Sequence, residues 1–136
     1  MSITDLPALA ALRTKMEWHQ ERQKVLAENV SNSDTPNFRP RDLVAPTFDR
    51  NGNPATGATG GTLAMMRTSA SHLTAPGGSS SFAVDGKAGF QTRPAGNAVN
   101  LEDEMLKVSA NQMDYAAVTS LYSRSLGLIK TAIGKR

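Results

Sequence analysis

Side chains that commonly carry out catalysis or bind metals are few in this 136-residue chain, and they are dispersed. The histidines are His19 and His72, and neither has a second ligand at the spacing that metal sites use. The chain contains no cysteine, which excludes a thiolate metal site, a thiol nucleophile and a disulfide framework. A lone histidine in a helical repeat is more typical of a packed polar residue than of a ligand. We therefore expect no catalytic residue, no metal and no cofactor.

Acidic and glycine-rich stretches also have simpler explanations than catalysis or phosphate binding. The run Glu102-Asp103-Glu104 falls in the first turn of a predicted helix, where the macrodipole stabilises negative charge. The pairs Gly60-Gly61 and Gly77-Gly78 lack the Gly-Lys-Ser/Thr sequence that a phosphate loop requires. These patterns argue against an enzyme.

The formal net charge of +3 does not by itself indicate a nucleic acid partner. Basic residues are interleaved with acids in both predicted helices, whereas a phosphate-binding surface usually concentrates them on one face. No window approaches the ~20 apolar residues of a membrane span. The first residues lack the basic front, the long apolar run and the cleavage site of a secretory signal. We expect no nucleic acid partner, no direct membrane span and no cleaved signal peptide.

Two long segments carry the alternating three- and four-residue spacing of a coiled-coil seam. The N-terminal seam comprises Leu9, Leu12, Met16, His19, Gln23, Leu26 and Val30, and the C-terminal seam comprises Leu101, Met105, Val108, Gln112, Tyr115, Thr119, Tyr122, Leu126, Ile129 and Ile133. Because the chain must turn back between the two segments, the long helices are predicted to pair as an antiparallel coiled coil in a mainly α fold. Gln23 and Gln112 are predicted to set the register, as buried amides do in coiled coils.

A second row of apolar residues, named here the outer stripe, runs beside the C-terminal seam. It consists of Leu106, Met113, Ala117, Leu121 and Leu128. One partner helix cannot cover both rows. The outer stripe is therefore predicted to contact another subunit.

Composition divides the chain into four segments. Residues 1–34 form the N-terminal seam helix, 35–48 a turn and extended arm, 49–98 a glycine-rich insert, and 99–136 the C-terminal seam helix, which Asn100 is predicted to cap. The insert holds nine of the eleven glycines and cannot bury enough apolar surface to offset its ordering entropy. We expect it to be flexible, of low order with at most short β-strands, such as a hairpin of Phe82–Val84 with Lys87–Thr92 around Asp85-Gly86.

The stretch from Asn29 to Phe38 concentrates residues that stop helices and form turns. Asn32 is predicted to end the first helix in the left-handed conformation. Thr35 is extended because proline follows it, and Pro36-Asn37 suits the centre of a type II turn with positive φ at Asn37. Phe38 then begins the arm, which is predicted to lie over an adjacent subunit.

The same stretch, Asn29-Val30-Ser31-Asn32-Ser33-Asp34-Thr35-Pro36-Asn37-Phe38, resembles the signature of bacterial flagellar axial proteins, the family of rod, hook and hook-associated proteins. Their usual pattern is Ala-Asn-Ile-Ala-Asn followed shortly by Thr-Pro-Gly-Tyr. Ser71-His72-Leu73 and Gly96-Asn97-Ala98-Val99-Asn100-Leu101-Glu102 extend the resemblance over nearly the whole chain, and the proteins of the proximal rod are the most similar. Asn37-Phe38 replaces Gly-Tyr, which keeps the ring but removes the tyrosine hydroxyl.

The resemblance implies a structural subunit of the flagellar basal body, located in the periplasmic rod and exported through the flagellar type III apparatus. Its expected partners are other copies of itself, other rod proteins and the basal-body protein that links the rod to the membrane ring. The resemblance assigns the signature and its role in assembly to Asn29, Asn32, Thr35, Pro36, Asn37 and Phe38. The alternative from the seams alone is a coiled-coil adaptor or secretion chaperone that binds a partner helix.

Overall fold

The computed structural model describes residues 6–49, 82–85, 94 and 96–134. Two long helices pack against each other, and a small two-stranded sheet lies beside them. The prediction of a mainly α fold with two paired helices is confirmed. Most of the glycine-rich insert lies outside the described residues.

Helix α1 spans Pro7–Ser31. Pro7 occupies the first helical position, where its missing N–H costs no hydrogen bond and its fixed φ suits the helix. The buried residues of α1 are Leu9, Trp18, His19, Leu26 and Asn29. Two of these five are polar or charged in type and one is a large aromatic, so the buried face of α1 is not a purely aliphatic seam.

Helix α2 spans Leu101–Ala132 and is about 48 Å long at ~1.5 Å per residue. The predicted N-cap is confirmed, because Oδ1 of Asn100 accepts a hydrogen bond from the backbone N–H of Glu102 at 3.1 Å. The buried residues of α2 are Glu104, Asn111 and Val118, each seven positions from the next. They define a contact face that repeats every two turns.

Polar contacts show how the helices are aligned. Asn111 lies 2.7 Å from Nδ1 of His19, whereas Glu104 accepts a hydrogen bond from Asn29 at 2.8 Å. The contacting residues therefore ascend along α1 while they descend along α2. Each end of the pair combines the start of one helix with the end of the other.

The small sheet joins the arm to a short strand from the insert. Strand β1, Asp42–Leu43, pairs antiparallel with strand β2, Val84–Asp85, so that Leu43 lies opposite Val84. Trp18, Leu43 and Phe82 form a buried apolar cluster beside it, with Val25 packed against them. The partner of β2 within the described residues is the arm, and this pairing was not predicted. Lys87–Thr92, the partner predicted from sequence, lies outside the described residues.

Candidate functional site

The end of α1 is closed by hydrogen bonds from the side chains that the signature supplies. The amide of Asn32 donates to the backbone carbonyl of Glu28 at 2.8 Å, and the hydroxyl of Thr35 donates to Oδ1 of Asn32 at 3.0 Å. The φ of Asn32 is −98°, so the predicted left-handed conformation is wrong at this position. Asn32 ends the helix through its side chain and needs no left-handed backbone.

The turn after the helix has the positive φ that was predicted for Asn37. Asn37 has a φ of 59°, in the left-handed region, and the backbone N–H of Phe38 donates to the carbonyl of Thr35 at 3.3 Å. Phe38 itself is half-buried. Gly96, which also has positive φ, lies so close that a Cβ there would collide with Oδ1 of Asn37.

Asn97 joins the signature turn to the beginning of α2. Its amide donates to the carbonyls of Asn32 and Thr35 at 3.0 and 2.7 Å, and its Oδ1 accepts from the N–H of Val99 at 2.7 Å. Asn97 is 3% exposed. A further bond from the N–H of Ala98 to the carbonyl of Phe38 completes the contact. The turn is therefore held within its own chain.

Asn29 links three parts of the molecule and is 1% exposed. Its Nδ2 donates to the carbonyl of Arg41 at 2.7 Å and to the carboxylate of Glu104 at 2.8 Å, while its Oδ1 accepts from the N–H of Arg41 at 3.1 Å. Glu104 is buried too, and Lys107 neutralises its charge at 2.7 Å. A single amide thus connects α1, the arm and α2.

Beyond Arg41 the arm lies against its own α1. The indole N–H of Trp18 donates to the carbonyl of Val44 at 2.8 Å, and Arg22 makes two hydrogen bonds of 2.7 and 2.8 Å to the carboxylate of Asp42. The guanidinium of Arg22 also stands 5.2 Å from the centre of the Trp18 ring. Residues 41–44 are thus in contact with their own chain, and the contact of the arm with an adjacent subunit stays a prediction.

The ion pair between Arg22 and Asp42 perturbs both groups. Burial alone would raise the pKa of Asp42, but the hydrogen bonds from Arg22 and from the N–H of Leu43, together with the charge of Arg22, lower it below its usual value. The hydrogen bond to Asp42 raises the pKa of Arg22. The pair is therefore charged under all ordinary conditions.

The seam residues of α1 face α2 or the space beside it. Leu9 and Leu26 are buried, and Leu12, Met16 and Val30 are half-buried. His19 is buried and bonded to Asn111, as a packed polar residue would be. The amide of Asn111 also donates to Oε1 of Gln23 and to the carbonyl of His19, both at 3.0 Å.

The seam residues of α2 divide into two groups. The half-buried residues are Val108, Tyr115, Thr119, Tyr122, Leu126 and Ile129, whereas Leu101, Met105, Gln112 and Ile133 are exposed, Leu101 by 42%, Met105 by 59% and Ile133 by 55%. The buried positions at 104, 111 and 118 each precede a predicted seam position by one residue. Asn111, rather than the exposed Gln112, is the amide that meets Gln23.

The outer stripe is uncovered in the single chain. The exposed fractions are 70% for Leu106, 69% for Met113, 51% for Leu121 and 68% for Leu128. At ~100° per residue Leu106 and Met113 lie on the side of α2 opposite Glu104 and Asn111, whereas Leu121 and Leu128 lie about 60° and 80° from Val118. Leu121 also lines a groove with Ala8 and Leu12 of α1. Four large exposed apolar side chains along one helix are unusual for a protein that acts as a monomer.

Several contacts were not predicted from the sequence. Asn97 was noted only as part of the family resemblance, Asn111 carried no signal beyond its residue type, and Glu104 was interpreted as a first-turn charge. The pairing of Arg22 with Asp42 joins residues twenty positions apart, and periodicity does not report such contacts. A search for positions that repeat every seven residues, with polar residues allowed, would have identified Glu104 and Asn111.

Within the described residues, no group of three or more His, Cys, Asp or Glu side chains is placed to hold a metal ion. No helix in the same part of the chain combines the length and apolarity that crossing a membrane requires.

Comparison with curated proteins indicates one class, the flagellar basal body rod proteins. The chain is 34% identical over 110 residues to FlgB of Agrobacterium fabrum, which covers 77% of this chain and 76% of that protein. It is 32% identical over 132 residues to FlgB of Salmonella typhimurium, covering 92% and 94% of the two chains, and 22% identical over 113 residues to FlgB of Bacillus subtilis. No protein-family model matches the chain. The chain belongs to the FlgB family, which confirms the resemblance seen in its sequence.

Proposed function

We propose that this chain is a structural subunit of the proximal rod, part of the hollow shaft that joins the membrane ring and export apparatus to the distal rod and hook. In this role it is required for motility and has no catalytic activity. It reaches the periplasmic rod through the flagellar type III apparatus without a cleaved signal. Membership of the FlgB family supports the assignment to the rod.

The observation that carries the proposal is the exposed apolar face of α2. The outer stripe leaves four large apolar side chains in water, which is costly for a free monomer and is resolved when another subunit covers them. The buried face of α2 is already occupied by α1. One helix thus has an intrachain face and an intersubunit face, as a subunit packed among neighbours requires.

We further propose that α1 and α2 form an antiparallel coiled coil in the assembled rod. The opposed order of the polar contacts supports this arrangement. Leu101 and Met105, exposed in the single chain, then gain cover from neighbouring subunits. The partners of the subunit are other copies of itself, other rod proteins and the protein that links the rod to the membrane ring.

The location is tested by expressing a tagged chain in a strain from which its own gene has been deleted. Basal bodies are purified, and the tag is located by gold labelling in electron micrographs. We expect restored motility and label on the rod close to the membrane ring. Label confined to the cytoplasm or to the hook would contradict the proposal.

Circular dichroism and sedimentation of the purified chain distinguish a rod subunit from the alternative, a coiled-coil adaptor. A rod subunit is expected to gain helicity and to associate progressively as concentration rises. A compact dimer that melts cooperatively, with little dependence on concentration, would favour the adaptor.

A further inference from the structure

One end of the helix pair is rich in exposed positive charge. Residues 6–16 of the first helical segment and 117–134 of the second contain no acidic residue. The cations of this end are all exposed and have no ion-pair partner within the described residues. They are named here the basic belt and comprise Arg13, Lys15, Arg124 and Lys130. This end is positively charged, although acids and bases are mixed over each helix as a whole.

The same end carries exposed apolar side chains at its extremity. Ala8 and Leu12 line a groove of about 390 Å³ with Leu121 and Ser125, so the start of α1 lies beside the last turns of α2. Three large apolar residues lie at this extremity, just before α1 or in the turns of α2 that follow Ser125. They are named here the apolar tip: Leu6, which is 46% exposed, Leu128, which is 68% exposed, and Ile133, which is 55% exposed.

The basic belt lies behind the apolar tip and surrounds the helix pair. Arg13 follows Leu6 by seven residues, about 10 Å along α1. Arg124 precedes Ile133 by nine residues, about 14 Å along α2. At ~100° per residue the two cations of α1 point about 160° apart around its axis, and the two of α2 point about 120° apart. The positive charge is therefore distributed around this end and does not line a single side.

Helix dipoles account for one of these four cations. Lys130 lies in the last turn of α2, where the macrodipole favours positive charge. Arg13 and Lys15 lie toward the N-terminus of α1, where the macrodipole favours negative charge, and the first turn of α1 contains no acid. Helix stability therefore does not explain the positive charge of this end, which favours an anionic partner instead.

A lipid surface matches this arrangement better than a protein segment or a nucleic acid does. A bilayer is wide enough to contact the apolar tip and every side of the basic belt together, whereas a segment bound in the groove would reach only Lys15 among the four cations. Nucleic acid offers phosphates but no apolar phase for the tip. Interfacial proteins bury apolar groups ~5–10 Å into the boundary between headgroups and acyl chains. Insertion of the tip to that depth brings the belt to the headgroups, where anionic lipids attract Lys and Arg.

We propose that the free chain binds anionic phospholipid surfaces through this end, with the apolar tip in the headgroup boundary and the basic belt at the phosphate groups. The contact is interfacial, and no segment crosses the bilayer in it. Leu128 also belongs to the outer stripe, so the contact concerns the chain outside any rod. It does not depend on the proposed function.

Co-sedimentation of the purified full-length chain with vesicles tests the contact. Vesicles of one part phosphatidylglycerol to two parts phosphatidylcholine should bind the chain roughly tenfold more tightly than vesicles of phosphatidylcholine alone. Raising the salt from about 0.05 to about 0.5 M should remove most of this difference, because exposed charges are then screened. Equal binding to both kinds of vesicle, or binding to neither, would overturn the inference.

A pair of charge variants tests the basic belt. Arg13→Gln with Arg124→Gln should weaken binding to the anionic vesicles roughly 25-fold, since each basic residue near the surface contributes about fivefold. The matched control, Lys24→Gln with Arg39→Gln, removes the same charge outside the belt and should change binding less than about twofold. Circular dichroism checks that both variants keep their helices. Equal weakening in the two variants would reduce the effect to the general attraction of a cationic protein and would remove the assigned site.

A pair of apolar variants tests the tip. Ile133→Ser should weaken binding about fivefold, because an apolar side chain that leaves water on binding is lost. Met105→Ser, at the other end of α2 and similarly exposed, should leave binding unchanged. If Ile133→Ser binds as tightly as the wild type, the tip does not enter the boundary and the proposed contact is wrong.

The orientation on the vesicle is measured with a polarity-sensitive fluorophore, since the chain has no cysteine of its own. The label is attached to Thr131→Cys beside the tip or to Ser109→Cys, an exposed position about 33 Å away along α2. Anionic vesicles should shift the emission to the blue at position 131 and leave it unchanged at position 109. A shift at position 109 alone would contradict the proposed orientation.

The same charge variants separate a lipid partner from a second copy of the chain. Sedimentation without vesicles should be the same for the wild type and for Arg13→Gln with Arg124→Gln. If these substitutions instead change self-association and leave vesicle binding intact, this end serves contacts between copies and the lipid contact is removed. The presence of the chain in purified rods is measured separately, so failure of the lipid contact leaves the proposed function intact.

Discussion

Asn97 makes three hydrogen bonds while almost fully buried, and it does so at the point where the chain enters α2. The carbonyls of Asn32 and Thr35 lie at the end of α1 and the start of the signature turn, and a buried amide such as that of Asn97 costs ~1–3 kcal/mol when it is left unpaired. Asn29 has a similar role, because its side chain joins the end of α1 to the arm and to Glu104 of α2. At the scale of residues, the signature is thus a set of amides that close one chain on itself.

Two glycine substitutions should have opposite effects on the stability of the chain, one at the contact between the turn and the start of α2 and one within α2. Gly96→Ala should destabilise the chain by about 1–3 kcal/mol, because Gly96 has a φ of 78° and an added Cβ would collide with Asn37. Gly127→Ala, within α2 and with open space around it, should instead stabilise the chain by about 0.5–1 kcal/mol. Urea unfolding measures both, and a neutral Gly96→Ala would show that the turn is not held as described.

The pair of Arg22 and Asp42 predicts a loss of stability in acid. The pKa of Asp42 is lowered in the folded chain. The ion pair therefore stabilises the fold fully above a pH of ~3.9, the usual pKa of an aspartate. It is lost as the pH falls through the lowered value. Asp42→Asn should therefore be clearly less stable than the wild type at pH 7, and the gap should narrow below about pH 4.

The control for this pH effect is Glu17→Gln, which alters an exposed carboxylate without a hydrogen-bond partner in the described residues. Urea unfolding of the three proteins at pH 7, 5 and 3 provides the measurement. A gap between Asp42→Asn and the wild type that stays constant with pH would contradict the assigned role of the ion pair.

At the scale of elements, periodicity predicted both helices and their partnership but placed the contact face of α2 one residue too late. Leu101 and Met105 were assigned to the seam because they are apolar, but both are exposed. The buried residues are instead Glu104 and Asn111. A hydrophobic pattern cannot identify a buried acid or amide, because their burial depends on partners elsewhere in the chain. Positive φ at Asn37 was predictable because turn chemistry is local.

Two leucine truncations test which faces form the core of the single chain. Leu26→Ala should cost about 2–5 kcal/mol, because Leu26 is fully buried between the elements. Leu106→Ala should change stability by less than about 0.5 kcal/mol, since Leu106 is 70% exposed. Equal losses in urea unfolding would mean that the outer stripe is already covered in the monomer.

At the scale of the whole molecule, α2 has two different surfaces to consider, a mostly polar contact face that is buried and an apolar stripe that is exposed in the single chain. Helix α1 covers the face of Glu104, Asn111 and Val118, while the outer stripe stays in water. Under the proposed function, packing among copies in the rod covers this exposed face.

The most direct test of this account replaces two residues of the outer stripe, Leu121→Glu and Leu128→Glu, in cells that lack their own copy of the protein. The matched control, Ala116→Glu with Ser123→Glu, adds the same charges to exposed positions of α2 outside the stripe. Purified basal bodies are then probed for the chain, export is measured separately, and motility is scored. We predict that the stripe variant is exported but absent from rods and leaves the cells non-motile, while the control assembles; rods that contain the stripe variant in motile cells would contradict the account.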